Sequence, residues 1–182
     1  MALSELKEFL ANIPSGDTVK FAAKKAVADP HFFDDLFEVS KSGEQPYAWR
    51  ASWVLDHASE SDPALLLPYI DVVYDLIPGL TNDGLKRHFL KFVLRCPINP
   101  DKAGALIDIL IGWMLSPGEA VSTRVLGMDI LVEICRLEPD LRFEVRSIIY
   151  DLQEKFPTPG MKIRLKKAMK TIDVIEKSIE IQ

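Results

Sequence analysis

The sequence predicts an all-α chain folded as a short solenoid of helical hairpins. Three observations predict it. Apolar residues recur at i, i+3, i+4 and i+7 through most of the chain. Signals for β structure are nearly absent; Asn82-Asp83-Gly84 comes closest to a hairpin turn, but a helical pattern follows it. A helix-start dipeptide also returns at a regular interval. Asp29-Pro30, Asp62-Pro63, Asn99-Pro100 and Glu138-Pro139 each precede a new apolar run, and their prolines lie 33, 37 and 39 residues apart. Repeats of roughly 20–50 residues are the mark of a solenoid.

The elements follow in order. Ser4 to Ile13 reads as a short amphipathic helix ended by Pro14. Asp17 to Ala28 is a second, with Val19, Ala23, Ala26 and Val27 as its packing side. The recurring dipeptide then starts each new hairpin by a local mechanism. An Asp or Asn at the N-cap accepts a free backbone N–H, and Pro at the next position lacks a donor that had no partner anyway. Glu138 is a poorer cap, so the fourth start is weaker. The hairpins fall at 4–28, 30–60, 63–96, 100–137 and 139–180, five in one array. Lys41-Ser42-Gly43, Pro78-Gly79, Ser116-Pro117-Gly118 and Pro157-Thr158-Pro159-Gly160 divide the later four. Pro68 should kink the helix of Ala64 to Ile77 or delay its start.

Three helices carry distinct patterns. Tyr47 to His57 is apolar on two sides: Tyr47, Ala51, Val54, Leu55 and Ala58 form one, and Trp49 and Trp53 stand on the other near Asp56. Such a helix is sandwiched, or shows one face to a partner. Ala120 to Leu137 has two apolar rows and should be the most buried helix. The last helix has the stripe Met161, Leu165, Ala168, Ile172, Ile175 and Ile179, with Lys162, Lys166, Lys170 and Lys177 opposite. A terminal repeat needs one polar face, because nothing stacks on it.

Bulk composition narrows the function classes. The chain has 182 residues, 48% hydrophobic and 27% charged, an ordinary globular balance. A net charge of −5 argues against nucleic acid or an anionic membrane as the main partner. No signal-peptide pattern opens the chain, and the apolar stretch Ala103 to Leu115 is too short to span a bilayer. Cys96 and Cys135, without a CxxC, read as buried reduced thiols of a cytoplasmic protein.

A second periodicity carries a family resemblance. Arg50, Arg87, Arg124 and Arg164 each fall early in the second helix of a pair, 37, 37 and 40 residues apart. A helix pair of about 40 residues, with Pro near the start of its first helix and Arg early in its second, resembles a HEAT or armadillo-type repeat. The resemblance covers residues 30 to 180 best. It implies a right-handed α-α superhelix whose second helices line a concave, partner-binding surface. One segment departs from it: His88, Lys91 and Arg95 stand where the repeat prefers apolar residues.

On that resemblance, Arg50, Trp53, Arg87, His88 and Arg124 form the candidate partner-binding set. The competing reading is structural, with each Arg bonding a carboxylate or a helix C-terminus, and Trp49 and Trp53 packing between repeats. Lys162, Lys166 and Lys170 belong to a run from Lys155 to Lys170 with six basic residues and no acid. That run is a candidate anionic-ligand patch, or a solvated face. His31, His57 and His88 form no zinc-ligand pattern, and no metal or cofactor is expected. No nucleophile elbow, P-loop or dinucleotide glycine pattern occurs, and Asp34 and Asp35 diverge by about 100° on a helix.

Two function classes remain. The first is a non-catalytic protein–protein scaffold. The second is a HEAT-like glycosylase for alkylated DNA bases. Trp53, Asp56 and Arg50 suit the latter only loosely, and the net charge opposes it. Stacking of residues 1–28 on a second copy stays open.

Overall fold

The computed structural model describes residues 3–13 and 16–180. Pro14, the expected end of the first helix, and the side chain of Ile179 lie outside the described part. Ten α-helices and no strands occur among the described residues, and the chain divides into two compact units, residues 1–96 and 97–182.

The first unit holds α1 (Leu3–Ala11), α2 (Gly16–Ala28), α3 (Pro30–Lys41), α4 (Tyr47–Ser61), α5 (Ile70–Leu76) and α6 (Asp83–Arg95). The second helices of its hairpins lie side by side in the order α2, α4, α6, and α1 touches α3 behind them. The second unit holds α7 (Pro100–Leu115), α8 (Val121–Leu137), α9 (Arg142–Lys155) and α10 (Pro159–Glu180). Here α8 packs on α7 and α10, and α9 on α10.

The helix starts show their local cause. Asp29 Oδ1 accepts from Phe32 N at 3.3 Å, Asp62 Oδ1 from Ala64 N at 3.1 Å and Asn99 Oδ1 from Asp101 N at 3.0 Å. Each cap is followed by Pro. Glu138 makes no side-chain cap bond, and that hairpin opens as a 3-10 turn, Pro139–Leu141. At the break after α3, Gly43 takes φ +71°, the left-handed conformation glycine adopts freely.

Several expected bounds shift for identifiable reasons. The helix expected over 63–78 is α-helical only at Ile70–Leu76, because Pro63–Tyr69 is a 3-10 segment. Pro68 lacks the N–H an α-helix needs, and its ring clashes with a carbonyl one turn back. α8 starts at Val121 rather than 118, since Glu119 N closes a turn on Ser116 O at 3.3 Å. On α2 the packing side is Val19, Ala22, Ala23 and Ala26, while Val27 is exposed. Ala22, three residues after Val19, shares its arc; Val27, eight after, has rotated off it.

Ten of the seventeen residues of α8 are buried, more than in any other described helix. Gly127 helps: a Cβ there would stand 3.3 Å from Met114 Cγ, so glycine lets α8 lie close on α7. Met161, Leu165, Ala168, Ile172 and Ile175 of α10 are buried, and Lys162, Lys166, Lys170 and Lys177 are exposed. Cys96 and Cys135 are buried free thiols, and burial pushes Cys135 up to about 11. No helix among the described residues is long and apolar enough to cross a membrane.

Candidate functional site

The site begins with the division of α4 into two faces. Ala48, Ala51, Ser52, Val54, Leu55, Asp56, Ala58 and Ser59 are buried. The small side chains among them let neighbouring helices approach closely. Trp49, Trp53 and His57 are half-buried and Glu60 is exposed, so this row at three- and four-residue spacing faces solvent. The two indoles stack, with ring centroids 5.7 Å apart and planes 19° apart, and His57 continues the row 6.4 Å from Trp53. Gly84 of α6 accommodates the ridge. A Cβ at that position would overlap the Trp49 indole.

Behind the ridge lies Asp56, 4% exposed. Its Oδ2 receives His88 Nδ1 at 2.9 Å and Lys91 Nζ at 2.8 Å, while Arg95 pairs with Oδ1. Arg95 Nη1 also donates to Ser59 Oγ at 3.0 Å. Burial by itself would raise the Asp56 pKa. The hydrogen bonds from His88 and Lys91, with the charges around them, overcome burial and hold the carboxyl well below its usual range. His88 is pushed below its ordinary value, first by burial and then by the charges of Arg87 and Lys91, against the pull of Asp56. The neutral imidazole therefore donates from Nδ1 to the carboxylate, and its buried Nε2 has no hydrogen-bond partner. One carboxylate thus holds two permanent cations. Its oxygens are committed to these donors, so its role is to fix α6 on α4.

This cluster accounts for the polar residues of α6 that depart from the repeat pattern. His88, Lys91 and Arg95 are 32, 35 and 39 residues beyond Asp56, about one repeat, so they meet it from the next hairpin. A lone acid on an otherwise apolar face, with three basic residues one repeat later, was the available signal. The sequence reading missed it because it treated Asp56 only as a neighbour of the tryptophans.

The other candidates are distributed between the units. Arg50 Nη1 donates to Leu10 O at 2.9 Å and Ala11 O at 2.5 Å, closing the C-terminus of α1. Arg87 is half-buried, and its Nε lacks a hydrogen-bond partner. Trp53 is on the ridge. His88, 1% exposed, supports the ridge from inside and offers a partner no surface. Arg124 belongs to the second unit and is 5% exposed. Its Nη2 donates to Ser116 O at 2.6 Å and Pro117 O at 3.0 Å, and its guanidinium lies 3.9 Å from the Phe156 ring centroid. Arg164 is exposed near Asp129, whose carboxyl is raised by burial against the charges of Arg164 and Lys167. The ladder's equivalent positions therefore do different work.

Beside the ridge, Lys20, Ala23, Lys24 and Val27 of α2 and His57, Glu60 and Ser61 of α4 line an open cleft of about 400 Å³. No metal-competent group of His, Cys, Asp or Glu occurs among the described residues. The geometry offers aromatic area and fixed cations, which suits recognition.

Comparison with curated proteins and with solved structures returned no match. A family model describing a HEAT repeat domain does match, over residues 6–172, the greater part of both units. Paired helices, a recurring cap-and-proline start and that match agree: the chain belongs to the HEAT repeat family.

Proposed function

We propose that the chain is a non-catalytic protein-interaction module whose contact surface is the second-helix face of residues 1–96. The observation that carries it is the stacked, half-buried Trp49–Trp53 pair mounted on the buried Asp56 cluster. Tryptophan is the residue most enriched at binding hot spots, and a rigid aromatic loses little conformational entropy on association. Wet indole area is usually minimised in a folded chain. Here small residues and Gly84 let α6 and the ridge lie close together, and the ion cluster locks the helix behind it. The family supports this reading, since helical repeats present extended surfaces to partners.

A glycosylase needs a carboxylate open to its substrate. Asp56 is enclosed and triply engaged, so the observations favour the interaction reading.

The test is affinity capture from the source cell with wild type and a Trp53→Ser variant, both checked for folding by urea unfolding. The reading expects at least one protein captured by wild type and lost with the variant, and its binding reproduced with the purified pair. If the folded variant captures the same proteins, the ridge is not the contact surface.

A further inference from the structure

We infer that the ridge receives an acidic segment of the partner protein, laid along α4 between the cations of α2 and α6. This rests on the interaction reading above and narrows it to one chemistry.

The charges around the ridge support it. The solvent side of α6 carries Gly84, Arg87, Lys91 and Arg95 at three- and four-residue spacing, one row beside the tryptophans. Against Arg87, Lys91 and Arg95 the adjoining carboxylate is Asp56, buried and already shared. That flank keeps an excess of positive charge, in a chain whose net charge is −5. On the other flank, Lys20 and Lys24 border the cleft with Glu60. The cations of α6 are also preorganised. Lys91 and Arg95 side chains are 38% and 17% exposed and are held by Asp56, so they lose little rotamer freedom when a carboxylate arrives.

The same face argues for a peptide over a nucleic acid. Its remaining acids are Asp17, 3.7 Å from Lys20, Glu60, 3.5 Å from His57 Nδ1, and Asp83 at the start of α6. Duplex DNA carries about one charge per 1.7 Å without interruption and would meet those acids. A peptide can set carboxylates over α6, an apolar side chain on the indoles, and neutral residues opposite Glu60 and Asp83.

The experiment follows tryptophan fluorescence in a Trp113→Phe background, where Trp49 and Trp53 alone report. The probe is a twelve-residue peptide of Asp and Glu with two leucines. Its controls are the Asn/Gln counterpart and a single-stranded oligonucleotide of equal charge. The inference expects saturable binding of the acidic peptide, weakened at least tenfold by the Asn/Gln change, by 0.4 M salt and by Arg87→Glu/Lys24→Glu. Neither substituted residue is among those that clasp Asp56, and urea unfolding checks the variant's fold. Equal binding of the neutral peptide, tighter binding of the oligonucleotide, or no saturable response would overturn it. Partner capture that depends on Trp53 but not on Arg87 and Lys24 would also overturn it, while leaving the interaction reading intact. Loss of Trp53-dependent capture altogether would remove both.

Discussion

α4 and α8 are both second helices of a hairpin, both open near a ladder arginine, and both are largely buried. They differ in what they bury and what they show. α8 is packed through apolar rows, with Met128, Ile130 and Leu131 at most 1% exposed, and its arginine closes its own hairpin on Ser116 and Pro117 carbonyls. α4 buries a carboxylate among small residues and leaves two indoles half-wet. The comparison teaches that one repeat frame supports two designs. One maximises apolar contact. The other encloses an ion cluster and frees an aromatic row for recognition.

The sharpest way to break this contrast is to remove the carboxylate. Asp56→Ala leaves Lys91 and Arg95 partly buried without their counter-charge, and should cost about 3–5 kcal/mol in urea unfolding. Asp129→Asn, on α8, removes a carboxyl whose burial disfavours its charge, and should cost nothing measurable. An equal loss at both positions would erase the distinction.

Truncation of core and ridge comes next. Met128→Ala empties a site with 0% exposure and should cost about 2–5 kcal/mol. Trp53→Ala should cost no more than about 1–2 kcal/mol, since much of its area is already wet, while abolishing partner capture. A larger stability loss at Trp53 than at Met128 would mark the ridge as core.

Gly84→Ala probes the support. The new methyl would displace the Trp49 indole, at about 1–3 kcal/mol for local overpacking. The expected signature is a changed Trp49–Trp53 emission together with weaker partner binding. An unchanged spectrum would show that the indole has room to spare.

The smallest effect is in pH. His88 has a lowered folded pKa, so the unfolded chain binds more protons as pH falls below about 6.5. Its contribution is full above that value and is lost as pH drops toward the folded value. Asp56, also lowered, contributes above about 3.9 and is lost below it. Asp129 is raised, so its contribution has the opposite sign: it is present below about 3.9 and is lost as pH rises through its folded value. Unfolding between pH 7 and 5, followed by Trp49 and Trp53 for the first unit and Trp113 for the second, should show the first weakening on acidification. His88→Gln should flatten that slope. A slope unchanged in the variant would remove His88 from the explanation.

What could be read from the chain alone was decided within a few residues. The caps at Asp29, Asp62 and Asn99 bond amides two or three positions away, and the prolines that follow act on their own backbone. Pro68 likewise breaks the helix it sits in. Repeated at a fixed interval, these local starts specify paired helices and a HEAT-like family. The buried stripes of α8 and α10 follow from helical periodicity.

Tertiary packing decided the rest. Arg50 meets carbonyls some forty residues away, and Asp56 meets donors on the following hairpin. In sequence, a buried charge and a solvated one look the same. Only the apposition of α4 and α6 removes water from Asp56, and that desolvation makes His88, Lys91 and Arg95 obligatory partners. The same apposition, with glycine at position 84, holds the tryptophans half out of the fold.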